Sequence, residues 1–342
     1  MTELFRQGGP HNNHKTGQDK YTLQIKMPSD EAGMSARECP RPECEPGRFK
    51  VKCGTGITDE HTTAYCPYCR TSASPSDFAT AEQLSYAKDV AIDAVKDGLE
   101  QMLKSAFGIG SSGRRRFGNC IEMKYTPGHR RRPKPPYEEQ LLRDVTCPHC
   151  TLEHAVYGLA TWCSDCGHDI FAVHVDAEAG VVRSMLEDID RRAKELGPRV
   201  VARTIENALE DVVSLLEASL KSLIRRRHAA NGMTTTEIED IIKKKVRNRC
   251  QGYDGAVDTL KEQFGFDLRT LVAAAKGDRL TDTLEKRHPI THNLGIVDSK
   301  YRDKADARAA QGRDVKLTRK EVRDALDTVV SLIKVTHAGL FP

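Results

Sequence analysis

At 342 residues, with 38% hydrophobic and 30% charged residues and a net charge of +4, the chain has the length for two or three domains and enough apolar content for a core. No run of about eighteen apolar residues occurs, which excludes a membrane-spanning helix. Met1 to Lys20 lacks the apolar segment of a secretory signal, so a cytoplasmic protein is expected, and there eleven cysteines favour metal over disulfides.

Residues 1–20 are polar and rich in Gly, Asn and His, which reads as a tail. Tyr21 to Met27 alternates as a strand would. Cys39-x4-Cys44 and Cys66-Pro-Tyr-Cys69 then bracket a hairpin signal at Phe49-Lys-Val-Lys52. Two close cysteine pairs suit tetrahedral zinc, so Cys39, Cys44, Cys66 and Cys69 are the expected ligands, with Cys53 a fifth thiol able to replace one. A helix follows over about Ser76 to Phe107, with apolar residues at helical spacing from Leu84 to Ala106, and Gly108 to Gly113 stops it.

The next stretch is basic. Residues 101–150 hold ten Lys or Arg against four Asp or Glu, a local +6 that exceeds the charge of the whole chain. Arg114, Arg115 and Arg116 precede a strand signal at Cys120–Tyr125, and Arg130, Arg131 and Arg132 enter a Pro-rich linker. Exposed cations of this kind meet phosphates, so nucleic acid is the expected partner. Few aromatics interleave, so base stacking is not implied.

Cys147-Pro-His-Cys150 and Cys163-Ser-Asp-Cys166, twelve residues apart, are the strongest signal in the chain. Four thiolates leave no open position for water, so both expected zinc ions are structural, and no catalytic metal is expected. Ala155 to Trp162 reads as the hairpin between these pairs. His149, His154 and His168 read as surface residues or neighbours of the ligands.

From Asp176 onward the pattern is helical. Helices are expected at about 176–196, 199–228, 236–249, 256–264 and 267–275, then one leading into Arg287. Gly197-Pro198 and Asn231-Gly232 bound the longest. The last begins at the capping box Thr318-Arg-Lys-Glu321 and runs to about His337. The organisation expected is a tail and strand over 1–36, a zinc ribbon over 37–72, a helix over 73–113, a basic strand and linker over 114–143, a second ribbon over 144–175 and a helical bundle over 176–342. The fold class is therefore mainly α, with two small β modules and an intervening helix ahead of the bundle.

Arg287-His288-Pro-Ile-Thr-His292-Asn293 stands inside that bundle. In a helix Arg287 and His292 lie about 140° apart, and Pro289 favours a helix start or kink that brings both toward one pocket. A second Arg-x4-His, Arg6 to His11, falls in the tail. Arg, a polar residue, three variable residues and His, followed here by Asn293, Gly295, Val297-Asp298 and Tyr301, resembles the motif of the HEPN ribonucleases over roughly residues 198–337.

That resemblance implies metal-independent endoribonuclease cleavage by 2′-OH attack. Arg287 would neutralise the phosphate, His292 would move the proton, and His288 and Asn293 would orient the site. It also implies a homodimer through the helical domain, RNA as substrate, and an effector of the toxin or antiphage-defence kind. The alternative from a different class is a non-catalytic zinc-ribbon adaptor that binds nucleic acid or protein and uses the bundle to dimerise.

Overall fold

The computed structural model describes residues 14–17, 20–58, 62–107, 143–304 and 309–342, and the backbone of 114–117 and 121–124. It is mainly helical, with small antiparallel sheets in the front half and helices behind them. No described helix is long and apolar enough to cross a membrane. Arg130, Arg131 and Arg132 lie outside the described residues, as do the side chains of Arg114, Arg115 and Arg116.

Two separate two-stranded hairpins are formed by β1 (His14–Gly17) with β2 (Lys20–Thr22) and, later, by β7 (Arg114–Phe117) with β8 (Ile121–Lys124). The strand expected to reach Met27 ends at Thr22, where the ladder with β1 ends. The central sheet runs β3 (Met34–Glu38), β4 (Arg48–Lys52), β10 (Glu153–Val156), β9 (Arg143–Thr146). β5 (Ala64–Tyr65) and β6 (Ser72–Ala73) flank the Cys66–Cys69 turn.

One unit occurs twice in this half. β3 and β4 carry Cys39 and Cys44 at their hairpin tip, and β9 and β10 carry Cys147 and Cys150 at theirs. The sequence placed the hairpin between the cysteine pairs; instead each first pair forms a hairpin's turn, because the strands that pair are those flanking it. β4 and β10 then pair antiparallel, Phe49 with Val156, Lys50 with Ala155 and Val51 with His154, so one sheet joins both units.

The second cysteine turns meet reciprocally. Tyr65 N–H donates to Ser164 O at 2.8 Å, and Trp162 N–H donates to Pro67 O at 3.1 Å. Tyr65 and Trp162 each precede a CxxC, and Ser164 and Pro67 are each its second residue. Equivalent atoms that exchange equivalent bonds place the units about an approximate two-fold axis.

Each unit leads into a helix. Thr80 caps α1 (Ala81–Ala106) by accepting from Gln83 N–H, and the Gln83 amide reaches Ala36 O at 3.0 Å, which ties the helix to β3. α2 (Phe171–Glu187) begins five residues before the position expected from its apolar pattern. Its start signal is Asp169, whose Oδ1 accepts from Phe171 N–H at 3.0 Å directly after the second metal turn. α3 (Ile189–Leu196) follows, and Gly197, at φ +82°, turns the chain into α4 (Pro198–Ala230).

α4 is the axis of the bundle. Leu209, Val212, Leu216, Leu220, Leu223 and Ile224 step by three and four along it, and all are fully buried. α2 and α10 (Arg319–Leu340) pack against this stripe. Truncating Leu216 to Ala here costs about 3 kcal/mol through the cavity left behind. α5 (Thr235–Ile241), α6 (Tyr253–Phe264), α7 (Ala274–Glu285), α8 (Arg287–His292) and α9 (Ser299–Lys304) wrap the rest. The helix expected at 236–249 stops being α at Ile242, where a π turn spans Ile242–Val246, and the one expected at 267–275 is only a 3-10 turn at Leu268–Thr270.

Candidate functional site

The three CxxC turns share one construction. In each, the residue after the second cysteine donates its N–H to the first cysteine's carbonyl: Arg70 to Cys66 at 3.0 Å, Thr151 to Cys147 at 3.0 Å and Gly167 to Cys163 at 3.1 Å. That closure needs a positive φ, which reads +61° at Arg70, +62° at Thr151 and +65° at Gly167. The turn folds both sulfurs toward one point.

Cys39, Cys44, Cys66 and Cys69 converge, and so do Cys147, Cys150, Cys163 and Cys166. Sγ–Sγ distances are 3.6 Å for Cys39–Cys69 and Cys44–Cys66, 3.7 Å for Cys147–Cys166 and 3.4 Å for Cys150–Cys163. Four thiolates at about 2.3 Å from one ion stand about 3.8 Å apart, so both donor sets fit a tetrahedral divalent ion. Without a cation these sulfurs resist ionisation together. Burial pushes the Cys163 thiol up and Cys150 up to about 11, while burial at Cys147 is outweighed by N–H donors from Cys150 and His149 that hold its thiol down. A bound ion would draw all four to the thiolate form. Cys53 is exposed and outside the cluster.

The three nearby histidines differ. His149 and His168 stack at 4.4 Å between ring centroids. His154 is a core residue, fully buried on β10 with Nδ1 3.4 Å from Ser164 Oγ and Nε2 without a partner. Burial, with His174 nearby, pushes it down to about 3.

Trp162 joins this module to the bundle. Its ring is clamped between the guanidinium of Arg70, 4.2 Å from the centroid, and that of Arg226 on α4, at 4.1 Å. Arg226 also pairs with Asp169 at 2.5 Å, and His337 Nε2 lies 3.0 Å from the same carboxylate. Burial opposes the charge on Asp169, but bonds from His337, the Phe171 N–H and Arg226 hold it down to about 2.

In the bundle, α7 ends at Glu285 and α8 starts at Arg287. Pro289 falls in the first turn of α8, where its missing N–H costs nothing, and is buried with Ile290. Arg287 faces α4. Its Nε donates to Glu210 Oε2 at 2.7 Å and its Nη1 to Gln251 Oε1 at 2.9 Å. Thr291, one turn along from Arg287, donates to the other Glu210 oxygen. Gln251 in turn donates to Glu217 Oε2 at 2.9 Å, and Lys221 closes the chain on Glu217 at 2.6 Å. Glu210, Glu217 and Lys221 fall on one face of α4.

His292 looks elsewhere. It is exposed, and its ring stands 5.0 Å from that of His288, one turn back. α8 thus brings His288 to His292 and Arg287 to Thr291, on adjoining faces of one short helix. Asn293 serves the loop that follows, its side-chain amide donating to Ile296 O at 2.8 Å. Glu210, Gln251 and Thr291 were missed by sequence reasoning. Only Thr291, four residues from Arg287, carried a local signal.

The class defined here is a helical bundle led by a two-fold pair of four-cysteine clusters that could each hold a metal ion, with an Arg-His helix held against its central helix. No family model matches the chain, and the comparisons with curated proteins and with solved structures found no match.

Proposed function

We propose that the protein is a metal-independent endoribonuclease whose site is built on α8. The observation that carries this reading is the Glu210–Arg287–Gln251 arrangement beside the His288–His292 pair. Glu210 and Gln251 fix the guanidinium through Nε and Nη1, and among the described residues Nη2 has no hydrogen-bond partner. Nη2 is the edge that meets the phosphate and neutralises the charge of the five-coordinate phosphorus.

The RNA's 2′-OH attacks the adjacent phosphorus, and the P–O5′ bond breaks. His292 takes the 2′-OH proton, and His288, 5.0 Å away, supplies one to the leaving O5′. A cyclic 2′,3′-phosphate and a free 5′-OH result. The resemblance to HEPN ribonucleases supports the same chemistry and a homodimer in which two α8 helices share the substrate. Zinc in the four-cysteine turns holds the front half, which serves nucleic-acid or partner recognition in a cytoplasmic effector of the toxin or antiphage kind.

The adaptor reading is favoured by one observation: the guanidinium of Arg287 is already neutralised by Glu210. Incubation with RNA in EDTA separates the two. Cleavage that His292→Ala abolishes supports the nuclease, and binding without cleavage supports the adaptor.

A further inference from the structure

Between α5 and α6 the bundle carries a cationic turn. Arg247 N–H closes on Ile242 O at 2.8 Å, which makes Ile242–Val246 a π turn. Ile242 and Val246 are buried, while Lys243, Lys244 and Lys245 are all exposed. In an α turn Lys245, three residues on from Ile242, would share its buried face. The wider turn rotates it out, and such insertions recur at functional sites. Arg247 follows, exposed and at φ +48°, a conformation that a non-glycine residue holds only when its surroundings impose it.

Charge pairing sets this turn apart from its neighbours. Arg225 is matched by Glu239, Arg249 by Glu262, Lys261 by Asp267 and Arg269 by Asp254 and Asp258. On the turn, Lys244 is matched by Asp240 at 2.7 Å, and Lys243, Lys245 and Arg247 have no ion-pair partner among the described residues. Lys243 acts on Glu239 and Asp240 only at longer range, so three exposed cations outside any ion pair, on and just after one anchored turn, favour a polyanion.

The turn also leads to α8. Gln251 lies four positions after Arg247 in the chain, a span of at most about 14 Å, and Gln251 holds Arg287. Three cations are fewer than the roughly four to eight that hold a polybasic segment on an anionic membrane, and Ile242 and Val246 are buried, so neither adds an apolar anchor.

We infer that Lys243, Lys245 and Arg247 form a landing surface for the phosphate backbone of single-stranded RNA, which they deliver toward Arg287. The inference rests on the ribonuclease reading and extends it to a substrate path. The cations neutralise successive phosphates without reading bases, so binding is salt-sensitive and sequence-tolerant.

The test is binding of a short labelled single-stranded RNA to the full-length protein carrying His292→Ala, across a salt series, with and without Lys243→Gln, Lys245→Gln and Arg247→Gln together. The triple variant is expected to bind at least about tenfold more weakly near 0.1 M salt, with the log–log salt slope reduced by about 2, at roughly 0.7 for each phosphate no longer neutralised. Arg247→Gly is the folding control: it removes one cation and relieves the positive φ, so weaker binding at undiminished thermal stability supports the surface. Unchanged affinity and slope overturn it. So does an effect confined to anionic vesicles or an acidic protein, and so does a parent chain that binds no RNA. The two readings fail separately. Cleavage that survives His292→Ala sinks the nuclease and leaves the RNA surface standing. Cleavage lost in His292→Ala with binding unmoved by the triple variant does the reverse.

Discussion

Arg287 Nε donates to Glu210 Oε2 at 2.7 Å, joining the first residue of α8 to the middle of α4 across 77 residues of sequence. Both side chains are partly buried, so the pair is worth more than a fully exposed one. Glu210→Ala is expected to lower stability by about 1–2 kcal/mol. A double-mutant cycle with Arg287→Ala should return a coupling of about 1 kcal/mol by denaturant titration. Zero coupling would mean that Glu210 does not hold the guanidinium.

The two four-cysteine units share one sheet through β4 and β10. Loss of one is therefore expected to weaken the other. Elemental analysis should find two zinc ions per chain in the wild type. Cys147→Ser should lower the content to one or less and make the remaining ion leave at lower chelator concentration, because metal binding here is folding energy. A folded, metal-free wild type would contradict the reading of both cysteine clusters as metal sites.

His154 gives a pH signature. It is neutral in the fold, pushed down to about 3, whereas in the unfolded chain it titrates near about 6.5. Below that value the unfolded state binds the extra proton, so stability falls as pH falls from about 6.5 toward 3. The loss amounts to about 2 kcal/mol by pH 5. His154→Leu removes the titration, so the gap in stability between it and the wild type should shift in the mutant's favour by that amount between pH 7.5 and 5. A gap that stays constant over this range would refute the buried neutral imidazole.

Trp162 is the chain's one tryptophan, clamped by Arg70 from one unit and Arg226 from α4. Its fluorescence therefore reports on the junction of sheet and bundle alone. Chelation should shift the emission to the red. Arg226→Ala should do the same with metal bound, and cost about 2–3 kcal/mol because Asp169 loses its guanidinium as well. An emission spectrum indifferent to both changes would place the clamp elsewhere.

What could be read from the sequence follows from how local each signal is. The cysteine turns were legible because a site able to hold a metal constrains both residue type and spacing, and α4 was legible because its apolar stripe repeats over a long helix. The duplication was not, since beyond the cysteines the two units share little sequence and declare their kinship only through reciprocal backbone bonds at Tyr65 and Trp162. The early start of α2 was hidden because Asp169, which accepts from Phe171 N–H, stands only three residues past Cys166, within the stretch read as part of the second ribbon. Arg287 and His292 were visible as a pair. Glu210 and Gln251, which hold Arg287, were not, because both lie far from it along the chain.

The most direct test of the central claim is incubation of purified protein with RNA in EDTA, comparing wild type, Arg287→Ala and His292→Ala, each checked for zinc content and fold. The wild type is predicted to cleave, leaving 2′,3′-cyclic phosphate and 5′-hydroxyl ends, and both variants are predicted to lose that cleavage. Equal cleavage by wild type and His292→Ala would contradict the claim, because the proton transfer would then lie outside α8.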